Sequence, residues 1–139
     1  MAKTFPFKLI TPVRVAFEGE AGLVIGVGTE GEEGILASHA PFLTALRPGI
    51  LRADISEGGE QKRLELATSE GFLQALPDRV TVLVDEALTK EQVNRDQASA
   101  ELEGALARQK DLAPQTPEYA REQAIIDFAN AKLGLLSVS

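Results

Sequence analysis

The distribution of glycine and proline divides this chain of 139 residues near residue 86. Ten of the 12 glycines and five of the seven prolines lie before that point, whereas from Val80 to Ala113 there is no proline and Gly104 is the only glycine. These two residue types are the strongest local terminators of regular structure. A fold built from one kind of element is therefore excluded. The first part predicts short strands joined by turns, and the second part predicts long helices.

The first part predicts an antiparallel β-sandwich. Its apolar residues alternate, as they do in half-buried strands, over the segments 5–10, 13–17, 22–27, 49–56, 62–67, 70–76 and 79–84. The pair Gly58-Gly59 predicts a tight hairpin turn, because glycine accepts positive φ at both central positions. Since no helical pattern separates these segments, a sandwich or flattened barrel is the expected architecture.

The second part predicts two helices. Thr89, with Gln92 three residues later, forms a candidate capping box. Thr116 and Pro117 are typical of a second helix start, and Gly134 is typical of a helix end. Because the connection between them is short, an antiparallel hairpin is expected. The complete prediction is an α+β fold, with a β-sandwich over residues 1–86 and a two-helix hairpin over residues 87–139 that packs on the sandwich or on a partner.

Several kinds of site are excluded by residues that are absent. There is no cysteine, so disulfides, thiolate zinc sites, iron–sulfur clusters and thiol catalysis are excluded. His39 is the only histidine, so no site with two histidine ligands can form within one chain. The net charge of −7 opposes binding to a nucleic-acid backbone. We therefore expect no catalytic site, no cofactor, no metal and no nucleic-acid partner.

The segment from Gly26 to Gly31 matches the G-x-G-x-x-G pattern of dinucleotide-binding loops. That function needs a helix immediately afterwards, and Glu32-Glu33-Gly34-Ile35 does not begin one. Glutamates would also repel a polyphosphate. We expect these glycines to supply positive φ in a loop between strands instead. No apolar run is long enough to span a membrane and no signal peptide is evident, so a cytosolic location is expected.

A longer combination of motifs resembles one family, the epsilon subunits of F-type ATP synthases. In that family a Gly-Glu-x-Gly-Ile loop is followed by His-Ala-Pro, a Leu-Thr pair and a Pro-Gly turn. All four stand here in that order, at 31–35, 39–41, 43–44 and 48–49. The resemblance continues through 70–73 and 80–87, and it covers essentially the whole chain.

The resemblance implies a non-catalytic rotor component of the central stalk. In the family the sandwich binds the gamma subunit and rests on the c-ring. The hairpin either folds on the sandwich or extends along gamma toward the alpha/beta hexamer, where it blocks ATP hydrolysis. The implied location is peripheral, at the cytoplasmic face of the bacterial inner membrane, with the plastid thylakoid as the alternative. The implied c-ring or gamma interface comprises Gly31, Glu32, Glu33, Gly34, His39, Ala40 and Pro41.

Two departures from the family pattern affect regulation. Many members carry Ile/Leu-Asp-x-x-Arg-Ala at the first helix, a motif implicated in binding ATP. The matching residues here are Val93, Asn94, Gln97 and Ala98, so the carboxylate and the guanidinium are both absent. We therefore expect weak or no ATP binding. The hairpin also carries a net negative charge, which disfavours inhibition by charge attraction and leaves apolar wedging by the second helix.

Two alternatives come from other functional classes. A free-standing β-sandwich that binds a small ligand would have a concave apolar pocket and would not need a gamma subunit. A cupin-like sandwich enzyme would need a metal site with several histidines, which a chain with one histidine cannot build.

Overall fold

Nine strands precede two helices in the computed structural model, which describes residues 3–37 and 40–137. The strands are β1 (Phe5–Ile10), β2 (Val15–Gly28), β3 (Gly31–Leu36), β4 (Phe42–Leu46), β5 (Gly49–Glu57), β6 (Glu60–Thr68), β7 (Gly71–Leu76), β8 (Arg79–Val84) and β9 (Ala87–Leu88). A 3-10 turn, Lys90–Gln92, leads to helices α1 (Arg95–Gln109) and α2 (Pro117–Ser137). The predicted α+β class, with strands before helices, is confirmed. No helix in the described part of the chain is both long and apolar enough to cross a membrane.

The strands form two layers that share β2. One layer runs β4-β7-β8-β1-β2, and the other contains β3, β2, β5, β6 and β9. The pairing is antiparallel, as predicted, except between β1 and β8, which are parallel. This pair arises because β1 lies between β2 and β8, a long-range arrangement that alternation along the sequence does not reveal.

Strand β2 is one strand of 14 residues, so the prediction of two strands over 13–17 and 22–27 was wrong. Its first half pairs with β1, and its second half pairs with β3 and β5. The pairing with β5 is irregular between Ala21 and Leu23, where the strand passes from one layer to the other. Residues 18–21, between the two predicted strands, are extended because they pair with β1.

The core lies between the two layers. It is formed by the buried alternate positions that the sequence pattern predicts, including Phe7, Leu9, Leu73 and Val82. Gly58 and Gly59 adopt φ values of 60° and 84°, which confirms the predicted tight turn between β5 and β6.

The two helices form an antiparallel pair that is tied together by polar contacts. Arg108 contacts Glu122 at 3.0 Å near the connecting loop, and Lys132 contacts Glu101 at 2.6 Å at the opposite end. Thr89 and Gln92 are hydrogen-bonded, but they enclose the 3-10 turn rather than begin the first helix. Helix α1 begins six residues after Thr89, because the Asn94 side chain accepts a hydrogen bond from the Gln97 amide at 3.0 Å and caps it.

Candidate functional site

The acidic segment from Gly31 to Gly34 is part of strand β3, so the prediction of a loop there was wrong. Glu32 and Glu33 are extended because they pair with Val27 and Gly26 of β2. Gly31 has a φ of 132°, as expected for a glycine after a turn. Gly26 and Gly28 lie in β2, where a side chain on Gly28 would approach the Gly31 carbonyl oxygen to 3.0 Å. Their role is close approach of neighbouring groups rather than positive φ.

The two glutamates of β3 point to opposite faces of the strand, as successive strand residues do. Glu32 is exposed, and its Oε2 lies 3.0 Å from Nη1 of Arg52. The same Arg52 contacts Glu65 at 3.4 Å, so it connects β3 to β5 and β6 on the outer surface. Glu33 lies on the opposite face, beside Gly28. Glu32 is therefore the glutamate that offers a charge on the outer face of this strand.

The predicted interface residues that the structure describes lie in two places. Gly31 pairs with Gly28, which also pairs with Leu46 at the end of β4. Ala40 and Pro41 are exposed and precede the beginning of β4, at the opposite end of that strand. His39 lies outside the described residues.

Sequence reasoning missed a row of apolar side chains across the outer face of the first layer. Ala45 pairs with Phe72, Phe72 pairs with Leu83, and Leu83 pairs with Ile10. We call these four residues the apolar row. Phe72 and Leu83 are 55% and 53% exposed, although each is a large hydrophobic side chain. Exposed apolar groups that form a contiguous patch indicate an interaction surface.

A groove of about 930 Å³ separates the apolar row from the first half of α2. The apolar row and neighbouring strand ends form one wall, and α2 forms the other through Tyr119, Ala120, Gln123 and Ala124. The charged residues that line the groove are Arg47, Glu70, Asp85 and Asp127. We call this space the shared groove, because both the sheet and the hairpin line it.

The second half of α2 holds the hairpin on the sandwich. Phe128, Ala131 and Leu135 are buried against Ala67 of β6, with Ile50, Leu88 and Val93 packed around them. We call these seven residues the docking cluster. Among the described residues, no hydrogen bond or ion pair joins α2 to the strands, whereas several join α2 to α1. The hairpin is thus held together by polar contacts and held on the sandwich by apolar contacts.

Lys132 is a charged residue at the edge of the docking cluster. Its side chain is only 11% exposed, yet its Nζ lies 2.6 Å from Glu101 and 4.5 Å from the centre of the Phe128 ring. The carboxylate and the ring face together stabilise the buried ammonium. Lys132 therefore links the contact between the helices to the contact with the sheet.

The connection between sandwich and hairpin is fixed as far as Leu88. The Glu86 amide donates to Ser69 Oγ at 2.8 Å, and Arg14 Nη2 donates to the Ala87 carbonyl at 2.8 Å. Ala87 and Leu88 then pair with β6 as strand β9. A division of the chain after residue 86 stays a prediction. Strand pairing with the sandwich continues two residues beyond it.

The residues that match the family's nucleotide motif have structural roles in this chain. Asn94 caps α1, Ala98 is buried, and Val93 belongs to the docking cluster. The Gln97 amide donates to the capping side chain, and its own side chain is exposed. The described residues also include no group of three or more histidine, aspartate or glutamate side chains that could hold a metal ion.

Comparisons with known proteins give one family. Residues 4–90 match the family described as ATP synthase, Delta/Epsilon chain, beta-sandwich domain. The ATP synthase epsilon chain of Desulfosudis oleivorans is 40% identical over 108 residues, which cover 78% of this chain and 79% of that one. The ATP synthase epsilon chain of Magnetococcus marinus is 34% identical over 143 aligned positions, covering 98% and 96% of the two chains.

Two solved structures share the fold. A chain in the Euglena gracilis mitochondrial ATP synthase, in its OSCP/F1/c-ring structure, superposes with a TM-score of 0.77 at 22% identity, covering 96% of this chain and 81% of that chain. A chain in the central stalk/c-ring structure of the Tetrahymena thermophila mitochondrial ATP synthase gives 0.63 at 18% identity, covering 94% and 97%. At these identities the likeness shows the fold alone.

Proposed function

The chain belongs to the family of ATP synthase epsilon chains, and on that basis we propose that it connects gamma to the c-ring in the central stalk. In this role it transmits rotation and catalyses no reaction itself. Three features support the proposal: the apolar row, the edge strand β3 and the docked hairpin. The apolar row is the main observation behind the proposal, because exposing Phe72 and Leu83 to water does not stabilise a chain that has no partner.

The apolar row is the proposed gamma-binding surface. A phenylalanine side chain buries about 200 Å² when fully covered. About half of Phe72 remains to be covered, so at about 25 cal/mol per Å² its burial contributes about 2.5 kcal/mol. Leu83 pairs directly with Phe72 and adds a contribution of similar order. Apolar anchors of this size are typical of residues that dominate an interface.

The c-ring contact is proposed for the edge strand β3 and the segment before β4. The proposed residues are Gly31, Glu32, Glu33, Gly34, His39, Ala40 and Pro41. Glu32 is the exposed charge of β3, and Arg52 already restrains it at 3.0 Å. An exposed ion pair with the ring would contribute only about 0.2–1 kcal/mol, so this contact sets register rather than strength. This part of the chain would lie at the cytoplasmic face of the bacterial inner membrane.

The hairpin is proposed to regulate ATP hydrolysis. In the docked state its docking cluster is buried against β5 and β6. Extension toward the alpha/beta hexamer requires that this cluster separate, which exposes Phe128 and Leu135 to water or to a new partner. The apolar character of the cluster is consistent with a wedging contact rather than one driven by charge.

The gamma contact is tested by co-purification of this chain with the gamma subunit of the same complex. We expect Phe72→Asp to abolish binding, because a carboxylate would be buried in the apolar interface. The matched control is Leu36→Asp, since Leu36 is comparably exposed but lies on β3, outside the apolar row. Failure of the unmodified chain to bind gamma would refute the proposed function, and equal losses in both variants would refute the assignment of the surface.

The regulatory role is tested with a reversible crosslink. The chain has no cysteine, so Ala67→Cys with Ala131→Cys places one pair of thiols in the docking cluster, and oxidation is used to join them. We expect the oxidised form to relieve inhibition of ATP hydrolysis by the catalytic complex, and reduction to restore it. Equal hydrolysis in both redox states would contradict a moving hairpin.

The small-ligand alternative is supported by the shared groove, which is the concave apolar space that such a module requires. It predicts that a small apolar compound binds the isolated chain and that gamma does not. The co-purification experiment therefore separates the two functions.

A further inference from the structure

The shared groove has walls from both parts of the chain. The apolar row forms the sheet side, and Tyr119, Ala120 and Gln123 of α2 form the other. The docking cluster lies farther along α2, so the first half of the helix stands away from the sheet while the second half is packed on it. A molecule that fills the groove must therefore contact both the sheet and the hairpin.

The charges of the groove indicate the chemistry of its occupant. Glu70, Asp85 and Asp127 line it together with Arg47, and none of the four forms an ion pair in the part of the chain that the structure describes. Three carboxylates against one guanidinium favour a cationic group over an anionic one. The walls between these charges are apolar. The complementary occupant is an apolar segment flanked by lysine or arginine.

The extent of the apolar surface favours a protein over a small molecule. A volume near 930 Å³ lies at the upper end of the range for small-molecule sites, which is about 300–1,000 Å³. Exposed apolar surface also continues outside the groove to Leu43, which is 67% exposed on the same face of β4. A small ligand in the groove would leave that surface in water, whereas a protein surface could cover both.

We propose that an apolar segment of gamma, flanked by basic residues, enters the shared groove and contacts α2, so that bound gamma holds the hairpin docked. This inference rests on the proposed function, because it takes gamma as the partner of the apolar row. The groove exists only while the hairpin is docked, and a ligand shifts an equilibrium toward the state that it binds more tightly. Coupling of this kind is reciprocal and typically amounts to about 5–150-fold in affinity. Extension of the hairpin then requires that gamma give up its contacts with α2.

Substitutions at Ala120 test the contact and its charge. Ala120 is exposed on the groove wall of α2, and Ala100 is a comparably exposed alanine of α1 outside the groove. We expect Ala120→Arg to weaken gamma binding by about tenfold or more, because it fills the groove and repels a basic segment. Ala120→Glu should weaken binding much less, and Ala100→Arg and Ala100→Glu should leave it unchanged.

The outcomes of these binding experiments distinguish failure of this inference from failure of the proposed function. If the unmodified chain does not bind gamma, the proposed function fails. If it binds gamma and Ala120→Arg binds equally well, gamma does not enter the groove and the inference fails. Equal weakening by Ala120→Arg and Ala120→Glu would overturn the basic character assigned to the segment.

A distance measurement tests the effect on the hairpin. Gln61→Cys on β6 and Gln115→Cys between the helices place two spin labels at exposed sites outside the groove. Pulsed EPR then reports the docked hairpin as one narrow distance distribution and a released hairpin as a broad or shifted one. We expect gamma to preserve the narrow distribution and to increase its population in the Leu135→Ala background. A broadened or shifted distribution on gamma binding would overturn the inference.

Discussion

Leu135→Ala should release the hairpin from the sandwich without unfolding the sandwich. Leu135 lies near the end of α2 and is 3% exposed within the docking cluster. Its neighbours Ala67 and Ala131 are too small to fill the space that a shortened side chain leaves. Because no described polar contact joins α2 to the strands, apolar packing carries the docking energy.

The expected loss of docking free energy in Leu135→Ala follows from the burial of the Leu135 side chain. Replacing a buried leucine with alanine costs about 2–5 kcal/mol in a protein core, and the cost is lower where surrounding groups can relax. The cluster joins two units rather than filling the centre of one, so we expect the lower end, about 2–3 kcal/mol. At 1.4 kcal/mol per tenfold, the ratio of docked to released hairpin should fall by a factor of about 30–150.

The assay is pulsed EPR with labels at Gln61→Cys and Gln115→Cys, combined with thermal unfolding. We expect the distance distribution to broaden or shift in Leu135→Ala while the unfolding temperature of the sandwich stays near that of the parent. The matched control is Leu106→Ala, because Leu106 is a partly exposed leucine of α1 outside the docking cluster. An unchanged distance distribution in Leu135→Ala, or an equal change in the control, would refute the reasoning.

Three further predictions concern two glycines, one ion pair and the binding of ATP. Gly71→Ala should destabilise the sandwich by more than about 3 kcal/mol, because its Cβ would overlap the backbone of β8. Gly34→Ala has space for a Cβ and should cost less than about 1 kcal/mol. Comparable urea midpoints for the two variants would contradict this prediction. Glu101→Ala should lower the free energy of unfolding by about 2–3 kcal/mol, because it leaves the buried ammonium of Lys132 without its partner. Lys132→Met removes the charge itself and should lower it by less than about 1 kcal/mol. Urea unfolding that gave the reverse order would contradict this prediction. Millimolar Mg-ATP should leave the unfolding temperature unchanged, because the matching motif lacks its charged groups and Asn94 serves as a helix cap; a rise above about 2 °C would show binding.

Local sequence signals predicted the parts of the fold that local geometry determines. The Gly58-Gly59 turn follows from the conformational freedom of glycine, and the buried alternate positions of β8 follow from the period of a strand. The strand–helix order likewise follows from the distribution of glycine and proline. These features depend on neighbours within a few residues along the chain.

Most of the features that sequence reasoning missed depend on neighbours distant in the chain. The continuity of β2 depends on its pairing with β5 as well as β1. The strand character of Gly31–Gly34 is the exception, because it comes from a hairpin with β2 across a two-residue turn, and a run of glycine and glutamate lacks the apolar alternation that indicates a strand. The apolar row joins Ile10, Ala45, Phe72 and Leu83, which only strand order and register bring together. One signal was present, since Phe72 and Leu83 are large apolar residues at positions that alternation assigns to the outer face.

The most direct test of the central claim is ATP-driven proton pumping by membrane vesicles whose ATP synthase lacks its epsilon subunit. We expect this chain to restore pumping in step with ATP hydrolysis, and Phe72→Asp to leave hydrolysis uncoupled because it does not bind gamma. Pumping that is the same with and without the chain, or equally restored by Phe72→Asp, would contradict the claim that the apolar row connects this chain to the rotor.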